Sequence, residues 1–220
     1  IACYAYGEDY HDVLRKRIMP IVECLKKDLG GEWRICIDSA PLSERYWAIK
    51  CGIGTRGRNG SVIVDNFGSY IFLVEVLTTL RIAPDEPRKD ICMNCGACIK
   101  ACPQGALMAD GTVDARKCIN YLTIEHRGEW EGENSRTMHT EAAKNSLFGC
   151  DICQEVCPHN RNIPPTNIPE FQPKEELLSL TAEQAIKMSR EEFSKIFKGS
   201  PVKRAKFEGF RRNALNLAKD

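Results

Sequence analysis

The chain has 220 residues, of which 43% are hydrophobic, and this length suits one large domain or two small ones with a buried core. Lys and Arg number 31 and Asp and Glu number 30, so any binding to nucleic acid must come from local patches rather than from net charge. No apolar run reaches the length of about 18 residues that a membrane-spanning helix needs, and no signal-peptide pattern is present. We therefore expect a cytoplasmic protein without membrane association, and the start at Ile1 suggests that an upstream part is absent.

The first 87 residues predict an α+β domain. Apolar residues recur at helical spacing over 9–29, Gly30 and Gly31 end the pattern, and Pro20 predicts a kink or a break. The stretch "EWRICID" predicts a strand that ends at Asp38, and a second helix is predicted over 41–52. The stretches "SVIVD" and "SYIFLVEVLTTL" predict two strands that pair as a hairpin through "NFG".

Residues 88–160 contain the motifs that indicate chemistry. Eight of the 12 cysteines lie in two tight groups or between them, and this spacing favours metal ligation, and hence a reducing compartment, over disulfides. The first group, "CMNCGACIKACP", has the full C-x2-C-x2-C-x3-C-P spacing of two-cluster ferredoxins, in which the first three cysteines bind one 4Fe–4S cluster and the fourth binds the other. Four cysteines lie elsewhere and are predicted to be buried structural thiols: Cys3, Cys24, Cys36 and Cys51.

The second group, "FGCDICQEVCPHN", lacks one cysteine, because Leu147 stands where the motif would place it. Cys118 is the only other cysteine between the groups, and it completes a count of eight ligands for two clusters. The predicted ligands of cluster I are Cys92, Cys95, Cys98 and Cys157. The predicted ligands of cluster II are Cys102, Cys118, Cys150 and Cys153. The alternative is that cluster II keeps an open iron and Cys118 is a core thiol.

Residues 161–220 predict a proline-rich linker and a helical tail. Capping boxes at Thr181 and Ser189 and a Ser200–Pro201 pair predict three helix starts. The tail is rich in cations, which would suffice for several phosphate contacts or would otherwise form a solvated helix face. These cations are Lys195, Lys198, Lys203, Arg204, Lys206, Arg211 and Arg212.

Several segments together resemble the epoxyqueuosine reductases, which modify tRNA. The segments are "YAYGEDYHDVLRKR", "IDSAPLSERYWAIKCGIGTRGRNG", the four-cysteine run, "ARKCINYLTIEHRG", "FGCDICQEVCPHN" and "FKGSPVKRAKFEGFRRNALNLA". The resemblance implies a nitroreductase-like domain over 1–87, here partial, joined to a bacterial-ferredoxin-like module with two 4Fe–4S clusters over 88–160 and to the tail over 161–220. It also implies a short, monomeric form without the C-terminal helical repeats of longer members, and it makes Cys118 a ligand of cluster II.

The implied activity is the reduction of epoxyqueuosine to queuosine at the wobble position of tRNA. Electrons would pass from an external donor through the two clusters to a base-off cobalamin. Two alternatives are a reductive dehalogenase-like corrinoid enzyme and a non-enzymatic iron–sulfur electron-transfer protein. The aspartate in "DSAP" argues against the first, since such dehalogenases use a tyrosine acid, and the second predicts clusters without a corrin.

The resemblance also assigns site residues. The proton donor would be Asp38, because opening an epoxide leaves an alkoxide-like charge that an acid must neutralise; alternatively, Asp38 only caps the predicted helix. The implied cobalamin contacts are Asp38, Gly52, Gly54, Gly57, Val62, Leu73, Cys150 and Asp151. The implied tRNA contacts are Tyr121, Leu122, Thr123 and Ile124.

Two details of these assignments have simpler alternatives. The glycines allow close approach of the backbone to a corrin, yet such a loop is otherwise a turn-rich linker, and Thr55 and Arg58 depart from the residues common in the family. Tyr10 and His11 invite a role as axial ligands, but the family binds cobalamin without a protein histidine on cobalt. We therefore expect no protein ligand on the metal.

Overall fold

A computed structural model describes residues 1–217; the last three residues of the predicted tail, 218–220, lie outside the described part of the chain. The strands are β1 (Trp33–Cys36), β2 (Thr55–Arg56), β3 (Val62–Ile63) and β4 (Glu75–Thr78). The helices before the second cysteine group are α1 (Tyr10–Leu29), α2 (Glu44–Lys50), α3 (Ala97–Ala101), α4 (Ile119–Ile124), α5 (Gly132–Met138) and α6 (Glu141–Lys144). The later helices are α7 (Ile152–Glu155), α8 (Glu175–Leu178), α9 (Ala182–Lys187), α10 (Arg190–Ile196) and α11 (Lys206–Leu217). Short 3-10 helices span Cys3–Ala5, Pro158–Asn160, Pro169–Phe171 and Pro201–Ala205.

Helix α1 is continuous over 20 residues, so the predicted break at Pro20 is wrong. The Asp9 side chain accepts a hydrogen bond from the His11 backbone N–H at 3.0 Å and caps the first turn. Gly30 ends the helix at a φ of 71°, which a glycine adopts without strain. Pro20 is exposed, so the helix continues past it with one fewer backbone hydrogen bond.

The strands form two antiparallel pairs, and neither is the predicted hairpin. Strand β4 pairs with β1, with Glu75 opposite Cys36, while β3 pairs with the short β2. The segment between β3 and β4 turns towards the cysteine module instead, because the Ser69 backbone N–H donates to Asn160 Oδ1 at 2.7 Å. A hairpin prediction from adjacent apolar runs could not include this long-range tie.

The largest hydrophobic core belongs to the predicted tail. Phe193, Phe197 and Phe210 pack together there, with ring centroids 5.0 to 5.1 Å apart. The N-terminal segment and the second cysteine group add Ala5, Leu147, Phe148 and others to the same cluster. Residues 161–217 therefore pack closely on the two preceding parts of the chain.

The cysteine module is built from short helices. Helix α3 packs against α7, and α4 packs against α5 over a small core that contains Ile119, Leu122 and Met138. None of the described helices is long and apolar enough to cross a membrane.

Candidate active site

The structure gathers the predicted ligands of cluster I around one small cavity. Cys92, Cys95, Cys98 and Cys157 all line it, together with the loop that carries Gly57 and Arg58. Cys98 and Cys157 are each 9% exposed, whereas Cys95 is exposed. Burial raises the pKa of Cys98, and the neighbouring Cys157 and Cys92 add to the effect. The group therefore has a buried side and a side that reaches the surface.

The predicted ligands of cluster II also lie together, and Cys118 is among them. Burial, together with the nearby Cys150, Cys118 and Cys102, raises the pKa of the Cys153 thiol to about 12. Burial is also the main cause that raises the pKa of Cys150, and Cys118 and Cys102 contribute to this shift as well. Cys118 occupies the N-cap position of α4, and it reaches the group from there. Cys118 therefore acts electrostatically on both Cys150 and Cys153, as the predicted ligand set of cluster II requires.

The number of thiols in each group is the number that one 4Fe–4S cluster binds. Over residues 1–217, no three His, Cys, Asp or Glu side chains converge on a point where one metal ion would bind. A cubane cluster holds four thiolates around a larger cage, and two groups of four thiols supply the eight ligands that two such clusters need. The raised thiol pKa values mean that cluster binding must also displace protons.

Asp38 lies just after β1 on a strained turn. Its φ is 52°, a left-handed conformation that few residues other than glycine adopt. Its side chain is 62% exposed. The Tyr10 hydroxyl donates to Asp38 Oδ2 at 2.8 Å, and His11 Nε2 lies 3.5 Å from the same oxygen. The backbone N–H of Asp38 donates to the Glu44 carboxylate.

The alternative that Asp38 caps a helix is wrong. Helix α2 begins at Glu44, with Ser43 as its N-cap residue, so Asp38 lies six positions before the first helical residue. Its carboxylate is bound by side chains of α1 instead. A carboxylate that is exposed, held from one side and strained in its backbone has the features of a functional residue rather than of a cap.

An aromatic cluster supports the Asp38 carboxylate. The Tyr10 ring stacks on His11 at 4.1 Å and on Phe72 at 4.6 Å between centroids. Burial and the hydrogen bond to Asp38 raise the pKa of Tyr10, so its hydroxyl keeps the proton that it donates. Both ring nitrogens of His11 face carboxylates, since Nδ1 lies 2.7 Å from Asp9 Oδ1. The structure therefore gives Tyr10 and His11 roles beside the acid.

One extended segment connects the acid to cluster II. The Ser69 hydroxyl donates to Gln154 Oε1, next to Cys153, at 2.9 Å, and burial followed by the charge of Asp151 raises the pKa of the adjacent Tyr70. Two residues later, Phe72 stacks on Tyr10, which binds Asp38. The sequence reasoning missed Tyr70 and Phe72, because the only sequence signal at both positions is an apolar run that predicts a strand.

The other predicted cobalamin contacts take varied positions. A Cβ on Gly54 would overlap the carbonyl oxygen of Ile63, and a Cβ on Gly57 or Gly52 would lie 2.6 or 2.7 Å from protein oxygens. Internal packing therefore accounts for these glycines without a corrin. Val62 is buried and Leu73 is half-buried. Asp151 Oδ2 accepts a hydrogen bond from the Cys3 backbone N–H at 2.6 Å.

The isolated cysteines do not all match the prediction of buried thiols. Cys36 is 2% exposed, as predicted. Cys3, Cys24 and Cys51 are exposed, so the prediction is wrong for them. Cys24 is on the outer face of α1 and Cys51 follows the last residue of α2, positions that periodicity alone did not separate from the core.

The predicted tRNA segment is mostly inside the protein. Leu122 and Thr123 are fully buried and Ile124 is nearly so, whereas Tyr121 is 38% exposed. The Thr123 hydroxyl donates to the Ile119 carbonyl at 2.8 Å and accepts from the Gly149 N–H at 2.9 Å. Of these four residues, Tyr121 is therefore the one whose side chain is exposed enough to contact a partner.

The basic tail divides into structural and exposed cations. Arg212 is buried and donates to backbone carbonyls, and the Arg204 guanidinium forms a bidentate pair with the Glu125 carboxylate. These two arginines are therefore unavailable as free phosphate contacts. The remaining predicted cations are exposed: Lys195, Lys198, Lys203, Lys206 and Arg211.

Eight cysteines in two predicted groups of four indicate a two-cluster iron–sulfur protein. The family model for 4Fe-4S double cluster binding domains matches residues 91–160, and the model described as epoxyqueuosine reductase QueG, DUF1730, matches residues 1–39. The chain is 42% identical over 215 residues to the epoxyqueuosine reductase of Cyclobacterium marinum, covering 97% of the chain and 67% of that relative. It is 41% identical over 214 residues to that of Leadbetterella byssophila, covering 97% and 68%. The chain belongs to the epoxyqueuosine reductase family.

Solved structures agree with this assignment. A crystal structure of epoxyqueuosine reductase with an epoxyqueuosine-modified tRNA-Tyr stem loop matches with a TM-score of 0.89 and 32% identity, over 98% of the chain and 56% of that protein. The Bacillus subtilis enzyme, in a structure with its catalytic aspartate loop swung out of the active site, matches with a TM-score of 0.86 and 32% identity, over 98% and 56%. The chain spans little more than half the length of these solved proteins.

Proposed function

We propose that this chain carries the acid and the electron-transfer clusters of an enzyme that reduces epoxyqueuosine to queuosine in tRNA. The observation that supports this most directly is that one segment contacts both parts of the site: the Ser69 hydroxyl donates to Gln154, next to Cys153, and Phe72 stacks on Tyr10, which binds Asp38. Family membership and the relative solved with a modified tRNA stem loop give the substrate class.

The reaction requires two electrons and two protons. Removal of the epoxide oxygen breaks two C–O bonds, forms a C=C bond and releases the oxygen as water. An external donor would supply the electrons through cluster I, bound by Cys92, Cys95, Cys98 and Cys157, and cluster II, bound by Cys102, Cys118, Cys150 and Cys153. Cluster I is the better entry point, because Cys95 is exposed while burial dominates around Cys153.

Asp38 would supply a proton to the oxygen that leaves. Its Oδ2 is bound to Tyr10 and faces His11, and within residues 1–217 no hydrogen bond engages Oδ1. The free Oδ1 can therefore carry the proton while Oδ2 fixes the orientation of the carboxyl group. The exposure of the side chain leaves room for a substrate above it.

The residues around Asp38 fit a cobalamin that takes no protein ligand on its metal. The nearby histidine, His11, faces Asp9 with one ring nitrogen and Asp38 with the other, and so is not free to bind cobalt. The residues that would hold the cofactor are those from Tyr70 to Leu73, together with Val62, Cys150 and Asp151. A bound, reduced cobalamin would supply a low-potential metal able to deliver electrons to the epoxide.

A tRNA would contact Tyr121 and the exposed cations of the tail. An exposed aromatic ring beside a cluster II ligand suits stacking on a splayed base of a single-stranded loop. The exposed lysines, such as Lys203 and Lys206, suit phosphate contacts. Buried Leu122, Thr123 and Ile124 would shape this surface without touching the RNA.

The test uses the full-length protein, purified without oxygen and loaded with iron and cobalamin. Wild type should convert epoxyqueuosine-containing tRNA to queuosine with a strong reductant, and Asp38→Asn should keep both clusters while losing at least about a hundredfold in turnover. Asp65→Asn, at an exposed turn, is the matched control and should behave as wild type. If the protein contains eight irons but neither binds cobalamin nor forms queuosine, it is an electron-transfer protein and the proposed function is wrong. If Asp38→Asn keeps full turnover, Asp38 is not the acid.

A further inference from the structure

Two glutamates form a carboxyl pair directly behind Asp38. Glu44 begins α2, and its carboxylate accepts the backbone N–H of Asp38. Glu75 lies on β4 opposite Cys36, two residues before Asp38, and its carboxyl group lies near enough to that of Glu44 for Glu44 to raise its pKa. Glu75 Oε2 is buried and has no hydrogen-bond partner in the described part of the chain. The pair therefore joins β4 to the turn that carries the acid.

A hydrogen bond between two carboxyl groups requires a proton, since two carboxylates would repel each other. Glu44 must accept from the Asp38 N–H, so Glu75 is the better site for that proton. Burial, together with the nearby Glu44 carboxylate, raises the pKa of Glu75 to about 7. No lysine or arginine among residues 1–217 contributes to this shift.

We propose that Glu44 and Glu75 are positioning residues for Asp38. A protonated Glu75 holds the Glu44 carboxylate against the backbone N–H of Asp38, and this contact maintains the strained turn. The inference deepens the proposed function and rests on it for its meaning in catalysis. The strain needs such support, because a non-glycine residue at positive φ persists only where its surroundings hold it. On its other side, Asp38 faces Tyr10 and His11 of α1, and Arg204 acts on it from a distance.

The arrangement gives a pH dependence of definite sign. Below a pH of about 7, Glu75 is protonated and donates to Glu44. Above it, both groups are negative, the pair separates and the Asp38 N–H loses its acceptor. Turnover should therefore fall as the pH rises through about 7, independently of the proton that Asp38 itself must carry.

The key variant is Glu75→Gln, whose amide donates to Glu44 at every pH and cannot ionise. One pH unit above the Glu75 pKa, only about a tenth of the wild type would keep the pair. At pH 8 we therefore expect hydrogen exchange of the Asp38 amide to be roughly tenfold slower in Glu75→Gln than in wild type. Infrared titration of the cluster-loaded protein should show a carboxyl group that titrates near neutral pH and is missing from Glu75→Gln. Glu176→Gln, on the exposed face of α8, is the matched control.

Turnover gives the second readout. Glu75→Gln should keep activity at pH 8 that wild type loses, with an unchanged KM for tRNA, and Glu75→Ala should lower kcat at all pH values. Superimposed pH profiles of Glu75→Gln and wild type, or equal exchange of the Asp38 amide at pH 8, would overturn the proposal. If wild type makes no queuosine at all, the proposed function fails, and the exchange and infrared measurements still decide on the carboxyl pair.

Discussion

Arg212→Met tests whether the tail holds the segment that carries Tyr121. Arg212 is only 7% exposed. Its guanidinium donates to the carbonyl oxygens of Gly128 at 2.6 Å, Leu122 at 2.9 Å and His126 at 3.2 Å. It also lies 4.4 Å from the centroid of the Trp130 ring. One buried cation thus binds three carbonyls at the end of α4 and in the following loop.

The expected loss of stability follows from these contacts. Hydrogen bonds to a charged donor contribute about 1.5–3 kcal/mol each, and a desolvated cation–π contact contributes up to about 2 kcal/mol. The cost of burying the charge offsets part of this sum, and the exposed Gly128 carbonyl regains a partner from water. Burial lowers the pKa of Arg212 to about 10, so the side chain stays charged at neutral pH. A net loss of roughly 3 kcal/mol remains, or about 6–12 °C in Tm for a chain of this size.

The assay is thermal unfolding of the cluster-loaded protein, followed by circular dichroism. The matched control is Arg211→Met, since Arg211 is the exposed neighbour on the same helix and should change the free energy of unfolding by less than about 0.5 kcal/mol. Equal Tm values for the two variants would refute the reasoning that the buried guanidinium stabilises this segment.

Three further changes test the site. Cys118→Ala should lower the iron content from about eight to about four per chain, because cluster II loses a ligand, and iron analysis measures this. Gly54→Ala should destabilise the chain by about 2–3 kcal/mol in urea unfolding, since the new methyl group would overlap the Ile63 carbonyl. Tyr10→Phe should lower turnover about tenfold without loss of iron, because it removes the hydrogen bond that orients Asp38.

Matched controls make these outcomes decisive. Cys24→Ala, on the exposed face of α1, should keep the full iron content. An unchanged iron content in Cys118→Ala would mean that Cys118 is a structural thiol and not a cluster ligand. Gly209→Ala, where a Cβ would meet only ordinary contacts, should not destabilise α11. Tyr46→Phe, on the exposed side of α2, should keep wild-type turnover, and equal turnover in Tyr10→Phe would contradict the orienting role.

Local sequence signals predicted several helix boundaries, although α2 begins at Glu44 and not near Pro41 as predicted. Asp9 caps α1 and Gly30 ends it, and the capping boxes at Thr181 and Ser189 form as predicted. The start at Ser200 is also confirmed, although a 3-10 helix begins there. These signals work because each involves residues within about four positions of one another, whose hydrogen bonds do not depend on the rest of the fold.

Contacts between distant residues were beyond such reasoning. β4 pairs with β1, more than 35 positions away, and no periodicity indicates that partner. Tyr10 and Asp38, which are joined by a hydrogen bond, are 28 positions apart in the sequence. Asp38 and Glu75 are connected only through Glu44. Cys118 could be proposed from the sequence alone, because two clusters need eight thiolate ligands and the number of cysteines can be counted without knowing the fold.

The predicted sharing of cluster ligands between the two cysteine groups has a consequence for how the protein is made. Cys102 leaves the ribosome long before Cys150 and Cys153, and Cys92 long before Cys157, so neither group can enclose a cluster until the second one has been synthesised. Helix α11, which packs on α4 beside Cys118, is translated later still. We therefore expect both clusters to be inserted after translation, into a nearly complete chain.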